Sequence, residues 1–118
     1  MVKSRRKATL DYAQRLFPVP GVPMSRPQAT ATELIDDARV RVTRFDFAPG
    51  AETGRHCHGL DYVIITLTDC HMRLDKLGRD TRHTLIPAGV SHGCEEGVGH
   101  NVINEGDAPM SFVELELK

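Results

Sequence analysis

From Thr30 onward the chain is divided into short runs of alternating or β-branched residues by closely spaced turn signals, and this rhythm constrains the fold more than any other feature. The runs predict strands at Thr30 to Ile35, Val40 to Phe47, Arg55 to His58, Tyr62 to Leu67, His71 to Leu74, Thr81 to Ile86, His100 to Ile103 and Met110 to Leu117. The breaks between them hold Asp36-Asp37, Pro49-Gly50, Thr68-Asp69, Leu77-Gly78, Pro87-Ala88-Gly89 and Asn104 to Asp107, all turn-forming combinations. Eight strands at this spacing predict an all-β sandwich or small barrel, and no helical stretch separates them as a parallel βαβ fold would require. The last run alternates cleanly, so Val113, Leu115 and Leu117 are expected on a buried face and Glu114 and Glu116 on the opposite one. Between Val42 and Phe45 the apolar phase slips by one residue, which predicts a bulge near Thr43 and Arg44.

At 118 residues the chain forms one core, with an N-terminal arm and Pro-rich linker expected over residues 1–29 and the barrel over residues 30–118. Ser4 to Phe17 carries a weak helical stripe of Leu10, Ala13 and Phe17, while Pro18, Pro20, Pro23 and Pro27 end regular structure. Four cations in the first seven residues leave the remainder at −5, an acidic body that argues against a nucleic-acid partner. No apolar run has the length of a signal peptide or membrane span, and Cys57, Cys70 and Cys94 form no Cys-x-x-Cys pair; free thiols and a cytoplasmic location are expected. No phosphate loop, nucleophile elbow or dinucleotide fingerprint is present.

The histidines carry the chemistry. His56 and His58 stand on alternate residues, so a strand presents both on one face, and His100 can reach the same ion from another strand. His71 and His83 are read as surface residues, and Cys57, between the two proposed ligands, must point away from them into packing.

These residues resemble the cupin family, the RmlC-like barrels. The first cupin motif runs from a glycine through His-x-His to a glutamate, and here Gly50 or Gly54 leads into His56-Cys57-His58. The second, Pro-x-Gly-x-x-His-x-x-x-Asn, is filled by Gly97, His100 and Asn104, with Glu95 in place of the proline. Pro87-Ala88-Gly89-Val90-Ser91-His92 competes for that motif but has Glu96 where asparagine belongs. Only His100 leads directly into the closing strand, so it is the favoured ligand, with His92 left as a pocket residue or fourth ligand. His56 to Val63, reading His-x-His-x-x-Asp-Tyr-Val, is most similar to small three-histidine cupins, some labelled β-alanine degradation proteins. The resemblance implies a double-stranded β-helix, or jelly-roll barrel, around one divalent metal ion.

The motif glutamate is missing. Tyr62 and Val63 occupy its two permitted positions, and Asp61 comes one residue early, on the opposite face if the strand is regular. Three neutral imidazoles would leave a divalent ion at +2, suited to a small chelating oxyanion such as a carboxylate, an enolate or a β-dicarbonyl anion. The reading that follows is an Fe(II)-dependent dioxygenase, with Tyr62 or Asp61 managing a proton and Arg44 or Arg73 meeting a substrate carboxylate. Zn, Ni or Mn at the same site would instead support isomerase or lyase chemistry, and a third reading is a binding or sensing barrel without turnover. Asn104 is expected to tie a loop rather than touch metal, and a homodimer is expected because barrel edge strands need cover.

Overall fold

The computed structural model describes residues 26–76, 80–94 and 99–118, and the expected helix or arm over residues 1–25 lies outside them. The described chain is all-β: β1 (Thr30–Asp36), β2 (Val40–Phe47), β3 (His56–Cys57), β4 (Tyr62–Thr66), β5 (Cys70–Lys76), β6 (Thr81–Ile86), β7 (Ser91–Cys94), β8 (Gly99–Asn104) and β9 (Met110–Leu117). Two sheets result, with strand orders β1-β2-β9-β4-β7 and β3-β8-β5-β6, and every pairing between these strands is antiparallel. They face each other across a core in which Phe45, Phe47 and Phe112 pack with ring centroids 5.4 to 6.5 Å apart. Offset, tilted aromatic packing of this kind adds to the burial of each ring.

Three strands match the reading of the sequence residue for residue: β2, β6 and β9. One was missed. Ser91 to Cys94 lacks the apolar alternation of a strand because β7 is a short edge element whose residues pair only with β4.

Two further expectations are corrected. β2 pairs with β9 without interruption from Val40 to Phe47, and the register shift lies instead in β1, between Glu33 and Ile35. The apparent slip in β2 arises because Val42 is apolar on the outer face, in register with Ile35 on one side and Leu115 on the other, while Thr43, Phe45 and Phe47 point inward. The faces of β9 are also reversed: Glu114 and Glu116 are buried, 8% and 6% exposed, whereas Leu117 is 47% exposed. Phe112 places the inner face, and the two glutamates follow it at the strand period of two. Glu116 tolerates burial because Arg41 meets it with two bonds, Nε donating to Oε1 at 2.7 Å and Nη2 to Oε2 at 3.1 Å.

Candidate metal centre

The segment before β3 is bound along β8, and this places the first histidine. Gly50 N donates to the Asn104 carbonyl at 2.8 Å, Asn104 N to Ala51 O at 2.9 Å, and Thr53 N to Val102 O at 2.9 Å. Gly54 then turns the chain at φ +86°, a conformation open to glycine at little cost. Its N–H donates to Asn101 Oδ1 at 2.9 Å and its carbonyl accepts from His56 Nδ1 at 2.8 Å. With Nδ1 donating, the Nε2 of neutral His56 carries a lone pair.

His56 lies in register with His100 across β3 and β8, and His58 follows just beyond β3. The three Nε2 atoms form a closed triangle with every side 3.1 Å. Hydrogen bonds alone cannot satisfy that triangle. A ring nitrogen is either protonated or not, so among three mutually touching nitrogens at least two are alike and repel. A cation accepting all three lone pairs removes the conflict, and one ion at the usual metal–imidazole distance of about 2.0–2.1 Å reaches each of them. The histidine set therefore fits a divalent metal.

Burial prepares the rings for that role. It pushes His100 down to about 3 and His58 to about 4, with neighbouring imidazole charge as the second cause, and it lowers His56 as well. All three are neutral near pH 7, the form that ligates.

Behind His58 stands a residue the sequence reading had assigned to the opposite face. Glu114 Oε1 lies 3.7 Å from His58 Nδ1, and burial raises its carboxyl to about 8. Its signal lies in the alternation of β9, which puts Glu114 and Glu116 on one face without saying that this face is the inner one. Tyr62, in the place of the absent motif glutamate, is 3% exposed and stacks on His58 with centroids 3.9 Å apart and planes inclined by 24°. No carboxylate oxygen joins the Nε2 triangle among the described residues; His58, Glu114 and Glu116 form a separate group.

His56 and His100 of the triad line a cavity of about 470 Å³, within the ordinary range for small-molecule sites. Ile64, Met72, Leu74, Ile86 and Val102 supply apolar wall, and His56, His100, Tyr62 and Glu114 polar atoms. His92, exposed on β7, also lines the cavity but is outside the three-histidine cluster. Asp61 is exposed and lies outside the lining. Arg44 and Arg73 are also outside: Arg44 is held by Asp46 and Arg73 by Asp75. The cations that do line the cavity are Lys76 and Arg82. Cys57 points away from the triad as its position requires, but it is exposed rather than packed. Asn104 is 1% exposed and ties its loop, donating to Phe47 O, Ala48 O and Ala108 O and accepting from Gly106 N. His71 and His83 lie at the surface beside Glu105.

The sequence profile of the cupin domain matches residues 43–116. The chain belongs to the cupin family. It is 50% identical over 93 residues to the beta-alanine degradation protein BauB of Pseudomonas aeruginosa, covering 79% of this chain and 97% of that one. The crystal structure of a cupin domain from Bordetella pertussis superposes with a TM-score of 0.77 at 43% identity, covering 81% of this chain and 99% of that one. The polyketide cyclase RemF from Streptomyces resistomycificus shares the fold, with a TM-score of 0.64 at 21% identity over 79% of this chain and 67% of its own. Jelly-roll architecture, a histidine cluster able to hold a divalent ion and the family assignment thus agree. No helix among the described residues is long and apolar enough to cross a membrane.

Proposed function

We propose that this cupin is a mononuclear metal-dependent enzyme, Fe(II) being the favoured ion, that acts as a dioxygenase on a small chelating oxyanion such as a β-dicarbonyl. The observation carrying this reading is the closed triangle of three Nε2 atoms 3.1 Å apart at the wall of a ligand-sized cavity. When bound there, a divalent ion supplies Lewis acidity and open positions for substrate and dioxygen. His56, His58 and His100 hold it, and Gly54 fixes the ring of His56. Glu114 stands 3.7 Å from the Nδ1 edge of His58, on the side away from the triangle. Tyr62 packs the other side of that ring and brings a phenol to the cavity, where it is the proposed proton donor to substrate. A relative described as a beta-alanine degradation protein supports a small acid as the substrate class. A second copy of the chain is the proposed partner, because the edge strands of the two sheets need cover, and a monomeric mass in light scattering would remove that part.

Elemental analysis of protein purified without a histidine tag or chelator is the first test, repeated on His56→Ala and His100→Ala. Iron that follows those two residues, together with oxygen consumption on a β-dicarbonyl acid, is the expected result. Turnover that persists without oxygen on a redox-inert metal would overturn the dioxygenase assignment.

A further inference from the structure

The four-stranded sheet carries a second polar feature beside the histidines. Lys76 on β5 is in register with His100 on β8, which is in register with His56 on β3. Residues paired this way across adjacent strands point to the same face with Cβ atoms about 4.5–5.5 Å apart. His56, His100 and Lys76 therefore form one row on the inner face. In the next row Val102 pairs with Leu74 and Leu74 with Arg82, and both rows line the cavity.

The strands hold five cationic side chains, and they divide cleanly. Arg41, Arg44 and Arg73 each hold a carboxylate, Glu116, Asp46 and Asp75 respectively. Lys76 and Arg82 have no carboxylate partner among the described residues, and they are the two that line the cavity. Elsewhere the body is acidic, so two unneutralised cations at one cavity create a local positive potential that draws an anion there. Between them and the triad lies apolar wall, Leu74 and Val102, suited to a short carbon chain.

We propose that Lys76 and Arg82 form a carboxylate anchor that determines specificity: they hold the acid group of a short oxo acid and leave its oxo or enolate oxygen to the histidine triad. This rests on the triad being the metal site. Arg82 offers a planar fork to two carboxylate oxygens, and Lys76, next to His100, sets the acid group on the metal side of the cavity.

Isothermal titration of zinc-loaded protein with acetoacetate and with acetoacetamide, its neutral analogue of equal length, tests the anchor. In the native chain acetoacetate binds at least tenfold more tightly. The double variant Lys76→Met, Arg82→Met loses that preference, weakening acetoacetate tenfold or more while acetoacetamide changes less than twofold. Lys76→Arg and Arg82→Lys restore most of it, and Arg73→Met, on the outer face, leaves it unchanged. Equal binding of the two probes by the native chain, or full acetoacetate affinity in a folded double variant, would overturn the proposal. Zinc affinity, measured separately by chelator competition on the native chain and His100→Ala, decides the triad reading. If zinc does not bind the triad, acetoacetate binding to metal-free protein and its loss in the double variant still judge the anchor.

Discussion

Two groups of histidines in this molecule differ in almost everything except residue type. His71 and His83 sit on the outer side of the four-stranded sheet, their side chains 54% and 62% exposed, and both face the carboxylate of Glu105 at 3.7 and 2.9 Å. His56, His58 and His100 sit inside the barrel with their Nε2 atoms turned on one another, and the carboxylate that His58 faces, Glu114 at 3.7 Å, lies on its Nδ1 side, away from the triangle. The outer pair lies at the surface beside Glu105. The inner three have a need that protein atoms leave unmet, and that unmet need marks a metal-binding arrangement.

The largest expected contrast is in metal affinity. His100→Ala and His56→Ala lower metal content per chain to background, whereas His71→Ala and His83→Ala leave it at the native level; equal loss in both groups would erase the distinction. Asn101→Ala comes next. Asn101 receives the Gly54 N–H and donates to Glu52 at 2.8 Å, so its removal loosens the turn that fixes His56 and lowers metal affinity about tenfold, read by chelator competition.

The third contrast is in pH. His58 and His100 have folded values of about 4 and 3 against 6.5, so the unfolded chain takes up their protons first as pH falls. Their contribution to stability is present above pH 6.5 and lost as pH falls toward 3. Glu114 acts in the opposite direction: raised to about 8 from 4.5, it contributes stability fully present below pH 4.5 and lost as pH rises through 8. Denaturant melts of metal-free protein should therefore show a maximum near pH 6.5, and Glu114→Gln should flatten the alkaline limb and steepen the rise between pH 4.5 and 6.5. An alkaline limb unchanged in that variant would show that Glu114 is not its source. The smallest effect belongs to the outer group, where Glu105→Gln should change stability by no more than about 1 kcal/mol in the same melts.

Much of the architecture was legible. Alternation and turn residues located β2, β6 and β9 to the residue, and His-x-His with a third histidine later in the chain located the triad. What failed did so for a common reason. In β2 and β9 both faces carry residues that a sheet accepts, so the pattern shows which side chains share a face but not which face is inside. Lys76 belongs to the same face as Met72 and Leu74 by simple period two, whereas Arg44 and Arg73, the residues expected to meet a substrate carboxylate, spend their charge on neighbours two residues away.

Sequence alone determined the strand rhythm, the shared face of His56 and His58, and the family motifs, because these depend on residues within a few positions of one another. Tertiary structure decided the rest. Burying a carboxylate is unfavourable until a partner arrives, and the partner of Glu116 is Arg41, 75 residues away. Only strand order and register bring such residues together, and they likewise place His100 against His56, Glu114 behind His58, and Lys76 beside the triad.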